Sequence, residues 1–211
     1  KKPISVNGSG IAAKKLNLNF LKEKKIDKIS TTSPHSVTVP GAVHSWYSMH
    51  KKFGKLDFKE LFIAAENYAR NGYPVHEVSA YSWKKNINKI VNNKYTKKTF
   101  SKNGDPYKFG EIHKNINLAD TLNSIAKNNI KDFYHGYIAK DIVNTLNEFG
   151  GIQSLEDFEC QKTILSETIY SNYKHNTIHQ CPPNGPGITV LIMMAILEKF
   201  DFKNIEPMSF E

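Results

Sequence analysis

The stretch "CPPNGPGITVLIMMAILEKF", residues 181–200, sets a rigid Pro/Gly turn directly before an apolar run that is long enough for a helix. A phosphate-binding loop would need a Gly-rich turn that ends in Lys and Ser or Thr, and a dinucleotide-binding turn would need three spaced glycines. "NGPGIT" has neither pattern, so it predicts a helix start with Pro186 near the first helical position. Because the apolar run 188–197 leaves no polar face, we expect this helix to be buried on most sides, in the core of something larger.

The size and composition of the chain are those of a folded globular protein. With 211 residues, of which 39% are hydrophobic, the chain can bury a sizeable core, and we expect a single domain over residues 1–211. No apolar run reaches the roughly 18 to 20 residues of a membrane span. The first residues, "KKPISVNGSG", lack the apolar segment of a secretory leader, and the localisation, periplasmic or cytoplasmic, is left open.

The positive charge is a property of the overall composition. Lys and Arg outnumber Asp and Glu by 29 to 20, a surplus that could indicate nucleic acid, an anionic membrane or acidic substrates. Arg, the usual reader of bases and phosphates, occurs once, as Arg70, and the lysines are scattered among Asn and Ile, as in "KKNINKIVNNKYTKK". This pattern favours a solvated surface, and we expect no nucleic-acid partner.

Cysteine and histidine offer only weak candidates for a metal or nucleophile site. Cys160 and Cys181 have no second cysteine at CxxC spacing, so we expect two buried structural thiols and no zinc site. His175 and His179 are four residues apart, but they lie in a predicted strand without a flanking Glu, which favours a surface hairpin over a metal site. The hydroxyls of "TTSPH", residues 31–35, are typical of a turn. We expect neither a metal nor a cofactor.

The clearest helical periodicity covers residues 57–71. Apolar residues recur there at helical spacing, Asp57 and Glu60 form a start that resembles a capping box, and Gly72 ends the run. The preceding segment, 40–54, opens with Pro-Gly and predicts a second helix. Together the two helices predict an αα-hairpin.

The remaining segments predict more helices and one small sheet. Asn117 and Asp132 are each placed to cap a helix, and the second of these helices would continue to a Gly-Gly pair at 150–151. The Lys-, Asn- and Gly-rich segment 92–113 has no periodicity and predicts an exposed loop or irregular ribbon. The run "ETIYSNYKHNTIHQ", residues 167–180, predicts a two-stranded hairpin that turns at "YKHN". The predicted fold class is therefore α+β, helix-rich with a minor β-hairpin.

Three segments, taken in order, resemble the γ-glutamyltranspeptidase family. They are "VTVPGAVHSWYSMHKKFGKLDFKELFIAAENYARNGYPV", "LADTLNSIAKNNIKDFYHGYIAKDIVNTLNEFGGIQSLEDF" and "YKHNTIHQCPPNGPGITVLIMMAILEKF". The Pro-Gly turn before an aromatic helix, "FYHG", the Gly-Gly stop and the double-Pro turn are weak signals singly but specific in this order and spacing. The resemblance spans nearly the whole chain.

The resemblance implies a fold, an activity and a partner. Members of the family are N-terminal nucleophile hydrolases with an αββα core, made as a precursor that cuts itself into a large and a small subunit. The nucleophile is the Thr exposed by that cut, and its own new α-amine can serve as the base that activates its hydroxyl. This chain resembles a fragment of the large subunit, a partial domain. The implied partners are the small-subunit segment of the same precursor and a small-molecule amide or γ-glutamyl substrate, and no catalytic residue is expected among these 211.

One substrate contact of the family falls within the matched region. In the family an Arg pairs with the α-carboxylate of the γ-glutamyl group, and the resemblance places Gly8 at that position, followed by Ser9. A charge-assisted Arg–carboxylate pair is hard to replace with glycine. Relatives that cleave other small amides, such as oxamate, resemble this "GSG" turn, although they often carry an Arg where this chain has Ile11. Gly8 and Ser9 are therefore the predicted substrate-binding residues.

Three functions are compatible with these observations. The resemblance implies a γ-glutamyltranspeptidase-like acyl transferase or hydrolase. The missing Arg favours an amidohydrolase of the same family that acts on small amides. A decayed, non-catalytic helical module that binds an anionic partner through Lys-rich faces is the third.

Overall fold

A computed structural model describes residues 2–202, 205, 206, 208 and 209. The elements of the first half, in chain order, are β1 (Ile4–Asn7), α1 (Leu18–Glu23), α2 (Ala42–Phe53), α3 (Ile63–Asn71), β2 (Tyr73–Pro74), α4 (Glu77–Lys85), α5 (Ile87–Val91) and α6 (Lys94–Phe100). Those of the second half are β3 (Ile112–His113), α7 (Ile116–Asn128), α8 (Lys131–Tyr134), α9 (Tyr137–Glu148), α10 (Leu155–Glu159), β4 (Ile164–Glu167), β5 (Ile169–Tyr173), β6 (Asn176–Gln180) and α11 (Gly187–Leu197). Short 3₁₀ helices cover Pro34–Ser36 and Phe58–Phe62.

The chain contains two compact units. One comprises residues 1–52 and 145–211, and the other comprises residues 53–144. The buried apolar side chains of the first unit include Ala13, Val39, Val43, Phe158 and Leu191. Those of the second include Phe58, Phe62, Val75, Ile125, Phe133, Tyr134 and Val143. That residues 1–211 form one domain stays a prediction.

The first unit holds two small antiparallel sheets. β1 pairs with β4 from Ile4 opposite Glu167 to Asn7 opposite Ile164, so the two ends of this unit's sequence meet in one ribbon. β5 and β6 form a hairpin whose two-residue turn contains Lys174, with a φ of 52° in the left-handed region. Such a φ suits the tight turns that match the twist of the strands. The hairpin predicted at 167–180, with its turn at "YKHN", is confirmed.

Helix α11 packs on the β5–β6 hairpin and begins after Pro186, which confirms the predicted helix start. Gly187 and Leu191 are its buried residues, while Ile188 is 50% and Ile196 is 56% exposed. Burial on most sides is therefore not met within the described part of this chain. Membership of the helix in a larger core stays a prediction.

The second unit begins with the helix predicted at 57–71. Its first turn is 3₁₀, and the Asp57 carboxylate accepts a hydrogen bond from the Lys59 amide at 3.2 Å. α3 follows directly and ends at Gly72, whose φ of 95° favours glycine. α2 confirms the helix predicted within 40–54. Because the two units divide between α2 and α3, the predicted αα-hairpin stays a prediction.

Three predictions in the second unit are corrected by the structure. The cap of α7 is Asn115 instead of Asn117, because its side chain reaches the Leu118 amide at 3.0 Å. Asp132 lies inside α8 and accepts hydrogen bonds from Ser124 at 2.8 Å and from Asn128, instead of capping a long helix.

The segment 92–113 is also more ordered than its composition predicts. It contains α6, which starts where the Asn93 side chain accepts from the Tyr95 amide at 2.9 Å and from the Thr96 amide at 3.3 Å. Ser101 closes the helix by donating to the Lys97 carbonyl at 2.6 Å. The prediction of a loop was wrong because side-chain caps hold this short helix without an apolar stripe.

His113 is the unusual buried group of the second unit. It is 2% exposed and is surrounded by the rings of Tyr73, Trp83, Phe100 and Tyr107, with centroids 4.9 to 5.9 Å away. Among the described residues, no hydrogen-bond partner lies within reach of its Nδ1. Burial lowers the pKa of His113 below its ordinary value.

We expect this histidine to make the second unit less stable in mild acid. Since its pKa is lowered in the folded state, the unfolded chain binds the extra proton, so stability is complete above about pH 6.5 and falls as the pH drops below it. Urea unfolding followed by Trp83 fluorescence in a Trp46→Phe background checks this. His113→Phe should remove the dependence between pH 7 and 5, and an unchanged pH profile in that variant would contradict the assignment.

Candidate active-site face

The segment "NGSG", residues 7–10, follows β1 and is the centre of the candidate site, the NGSG turn. The Ser9 amide donates to the Asn7 side chain at 3.0 Å, and the Asn7 amide group donates to Asn184 at 3.3 Å. The second contact links the turn to the Pro/Gly turn that precedes α11. Ser9 is exposed, and the glycines on either side of it are half-buried. The predicted substrate-binding residues thus lie on an accessible turn.

The NGSG turn lies against the segment Thr38–Gly41 with its backbone in direct contact. The Val39 amide donates to the Ile11 carbonyl at 2.9 Å. A Cβ added at Gly41 would overlap the Gly8 carbonyl oxygen, and a Cβ added at Gly10 would overlap the Val39 carbonyl oxygen. Glycine is therefore required at both positions because two stretches of main chain meet there.

Gln161 holds the turn from the other side. It is 3% exposed and follows α10. Its Oε1 accepts from the Ile11 amide at 3.1 Å, and its Nε2 donates to the carbonyls of Ser9 and Lys162, each at 3.2 Å. One side chain therefore satisfies two main-chain groups of the turn that no regular strand pairs.

Asp157 fixes the segment that follows the turn. Its carboxylate accepts from the Lys14 amide at 2.9 Å and from both the amide and the hydroxyl of Ser154 at 2.8 Å, which completes the capping box of α10. Burial by itself would raise the pKa of Asp157, but these hydrogen bonds together hold that pKa below its usual value. The carboxylate is therefore charged at neutral pH and supports the turn.

A chain of hydroxyls and one imidazole lies beside Gly8. Ser45 Oγ lies 3.2 Å from the Gly41 carbonyl oxygen, to which it donates, and 3.2 Å from Thr163 Oγ1. Thr163 Oγ1 lies 2.8 Å from His44 Nδ1, and Ser48 Oγ lies 3.2 Å from the same nitrogen. Burial lowers the pKa of His44, which a backbone hydrogen bond opposes in part. A neutral imidazole can both donate and accept, so it suits this hydroxyl chain.

The other residues considered from the sequence lie elsewhere. His175 lies in the turn of the β5–β6 hairpin, and His179 Nδ1 lies 2.8 Å from the Thr168 hydroxyl on an exposed surface. Cys160 and Cys181 are both free and exposed, so the prediction of buried structural thiols was wrong. Cys160 is exposed because it ends the surface helix α10 as its cap.

Metal ligands and membrane spans were also sought in the described part of the chain. Within it, no group of three or more His, Cys, Asp or Glu side chains is arranged to hold a metal ion. None of the helices described there has the length and apolar character needed to cross a membrane.

The model of the γ-glutamyltranspeptidase family matches residues 1–211. The chain belongs to this family. The family resemblance drawn from the three sequence segments is thereby confirmed.

Two solved structures of this family's fold are similar to the chain. The crystal structure of Helicobacter pylori γ-glutamyltranspeptidase matches with a TM-score of 0.91 and 25% identity, over 98% of this chain and 61% of that one. The structure of cephalosporin acylase from Bacillus halodurans matches with a TM-score of 0.89 and 31% identity, over 96% of this chain and 39% of that one. The prediction of a helix-rich α+β part of an N-terminal nucleophile hydrolase fold is confirmed.

A curated relative shows how much of a family member this chain represents. The chain is 34% identical over 205 residues to the glutathione hydrolase-like YwrD proenzyme of Bacillus subtilis (strain 168), and the match covers 97% of this chain. It covers 39% of that relative, so the chain spans about two fifths of its length.

The residues that support the NGSG turn were not found from the sequence. Gln161, Asp157 and Thr163 are separated from the turn by about 150 residues, and each is an ordinary polar residue in its local context. The local signal that was available is the Ser154–Asp157 spacing of a capping box, which marks the start of α10 but not its contact with Lys14.

Proposed function

We propose that this chain is the large-subunit part of a γ-glutamyltranspeptidase-like enzyme that cleaves a γ-glutamyl or related small amide bond through an acyl-enzyme. The match of the family model to residues 1–211 carries this proposal. The relative that covers 97% of the chain is named a proenzyme. The nucleophilic Thr would come from a small-subunit segment of the same precursor, which is the proposed partner.

The NGSG turn is the proposed acyl-group site within this chain. Gly8 and Ser9 are the proposed substrate-binding residues. Ser9 is exposed, and its main chain is fixed on both sides, by Asn7 through the amide and by Gln161 through the carbonyl. A rigid, accessible turn binds a small acyl group at a low entropic cost. These contacts support the placement of the substrate at this turn.

The same turn favours acyl groups without an α-carboxylate. Gly8 offers no side-chain cation, and the place of its Cβ is taken by Ser45. An Arg–carboxylate pair contributes about 1.5 to 3 kcal/mol, so its loss weakens binding by about one to two orders of magnitude. The second candidate function, an amidohydrolase for small amides, rests on this observation.

Three matched anilides test the proposal on the self-processed full-length protein. γ-Glutamyl anilide carries both an α-carboxylate and an α-amine, glutaryl anilide keeps the carboxylate alone, and 4-aminobutyryl anilide keeps the amine alone. We expect all turnover to require self-cleavage of the precursor. We also expect 4-aminobutyryl anilide to match or exceed γ-glutamyl anilide in kcat/KM, because no Arg at position 8 rewards the carboxylate.

The possible contrary results separate the two candidate functions. A preference for γ-glutamyl over 4-aminobutyryl anilide of about 100-fold or more would show that another group binds the carboxylate, and would reject the small-amide specificity. A precursor that does not cleave itself and hydrolyses none of the three anilides would reject the enzymatic proposal altogether.

A further inference from the structure

The space beside Gly8 is occupied by the side chain of Ser45, on the first turns of α2. A Cβ built on Gly8 would overlap Ser45 Oγ and would lie 2.9 Å from Ser45 Cβ, closer than real carbon atoms approach. Even alanine therefore does not fit at position 8 while Ser45 stays in place. Any longer side chain there begins with the same Cβ and meets the same obstacle.

Ser45 has little freedom to move away. Its hydroxyl donates to the Gly41 carbonyl at 3.2 Å and lies 3.2 Å from Thr163 Oγ1, which is itself paired with His44 at 2.8 Å. A rotation of Ser45 would break both hydroxyl contacts in a half-buried place. The position of the hydroxyl is thus set by three other elements of the same unit.

The main chain of the NGSG turn cannot retreat from Ser45 either. The Gly8 carbonyl is in contact with Gly41, and Gly10 is in contact with the Val39 carbonyl. Gln161 holds the Ser9 carbonyl and the Ile11 amide from the opposite side. Because both sides of the turn are held, a new side chain at position 8 requires that the Ser45 side chain be removed.

We propose that Ser45 is a specificity-determining residue: its side chain fills the place of a side chain at position 8 and restricts that position to glycine. The consequence for substrates rests on the proposed function, in which position 8 faces the acyl group. A cationic side chain at position 8 becomes possible only with glycine at position 45. The acyl-group preference is then set by the pair of residues 8 and 45 together, and by neither alone.

A double-mutant cycle on the full-length protein tests the steric part. Gly8→Ala alone should lower the melting temperature, and Ser45→Gly should abolish most of that loss when the two are combined. Gly10→Ala is the matched control, since its Cβ meets the main chain at Val39 and Ser45→Gly should not rescue it. Additive effects of Gly8→Ala and Ser45→Gly, or a Gly8→Ala variant as stable as the wild type, would overturn the proposal.

The specificity part needs an added cation and a separate readout. In a Ser45→Gly background, Gly8→Arg should lower the KM for γ-glutamyl anilide by about 10- to 100-fold and leave the KM for 4-aminobutyryl anilide unchanged. In the wild-type background Gly8→Arg should give no such gain. A stable double variant whose KM for γ-glutamyl anilide does not fall would overturn the specificity role of Ser45. If the wild type hydrolyses neither anilide, the proposed function fails, while the stability cycle still decides whether Ser45 restricts position 8.

Discussion

Replacing Gly41 with alanine is expected to lower the free energy of unfolding of the first unit by about 3 kcal/mol or more. The new Cβ would overlap the Gly8 carbonyl oxygen and would lie 3.0 Å from the Gly8 carbonyl carbon and 2.9 Å from Gln161 Nε2. Two of these atoms belong to the main chain, which cannot move aside by changing a rotamer. The variant must therefore separate the NGSG turn from the start of α2. Urea unfolding of the full-length protein measures the loss, and turnover of all three anilides should fall with it.

Gly185→Ala is the matched control for this variant. Within the described residues, no heavy atom lies within 4 Å of the place of a Cβ at Gly185, and its φ lies outside the left-handed region. Alanine there should leave stability unchanged or raise it slightly, because it restricts the unfolded chain. If Gly41→Ala were as stable as Gly185→Ala, the turn and α2 would not be in backbone contact, and the site geometry would be wrong.

The sequence predicted the elements whose signals are local. Gly72 ends a helix, and "YKHN" turns a hairpin, because each depends on the φ and ψ angles of two or three neighbouring residues. The start of α11 after Pro186 is of the same kind. The failures also have a local cause. The short helix α6 carries caps but no apolar stripe, so a periodicity argument does not detect it.

The site itself was predicted only in part, for a physical reason. Gly8 and Ser9 were placed by the family resemblance, and their role in binding stays a proposal. The side chains that hold them come from segments far along the chain: Gln161 reaches Ile11, and Ser45 occupies the place beside Gly8. A single buried Gln or Ser has no distinctive spacing. Its role depends on which main-chain groups the fold brings within hydrogen-bond distance, and this follows from tertiary structure alone.

Replacing Gln161 with leucine is the second large effect that we expect. Leucine has a similar volume but leaves the Ile11 amide and the Ser9 carbonyl without the partners they have in the wild type. Each buried main-chain group without a partner costs about 1 to 3 kcal/mol, so the free energy of unfolding should fall by about 2 to 5 kcal/mol. Kinetics should show a raised KM for every anilide, because the loosened turn pays more entropy on binding. Leucine without an effect on either quantity would mean that water replaces the amide, contrary to the proposed role of Gln161.

Gln161→Glu distinguishes the loss of hydrogen bonds from a simple packing defect. Glutamate keeps the acceptor for the Ile11 amide, but as a carboxylate it faces the carbonyl oxygens of Ser9 and Lys162, which in the wild type accept from Nε2 at 3.2 Å. Burial and these two oxygens should raise the pKa of the new carboxyl in the folded state. The folded protein then binds the extra proton, so this variant should gain stability relative to the wild type as the pH falls through that raised pKa, down to about the unfolded value near 4.3. The protonated carboxyl can donate to Ser9 as the amide did. A packing defect alone would give a stability difference independent of pH, and urea midpoints of Gln161→Glu, Gln161→Leu and the wild type between pH 7 and 4.5 separate the two explanations.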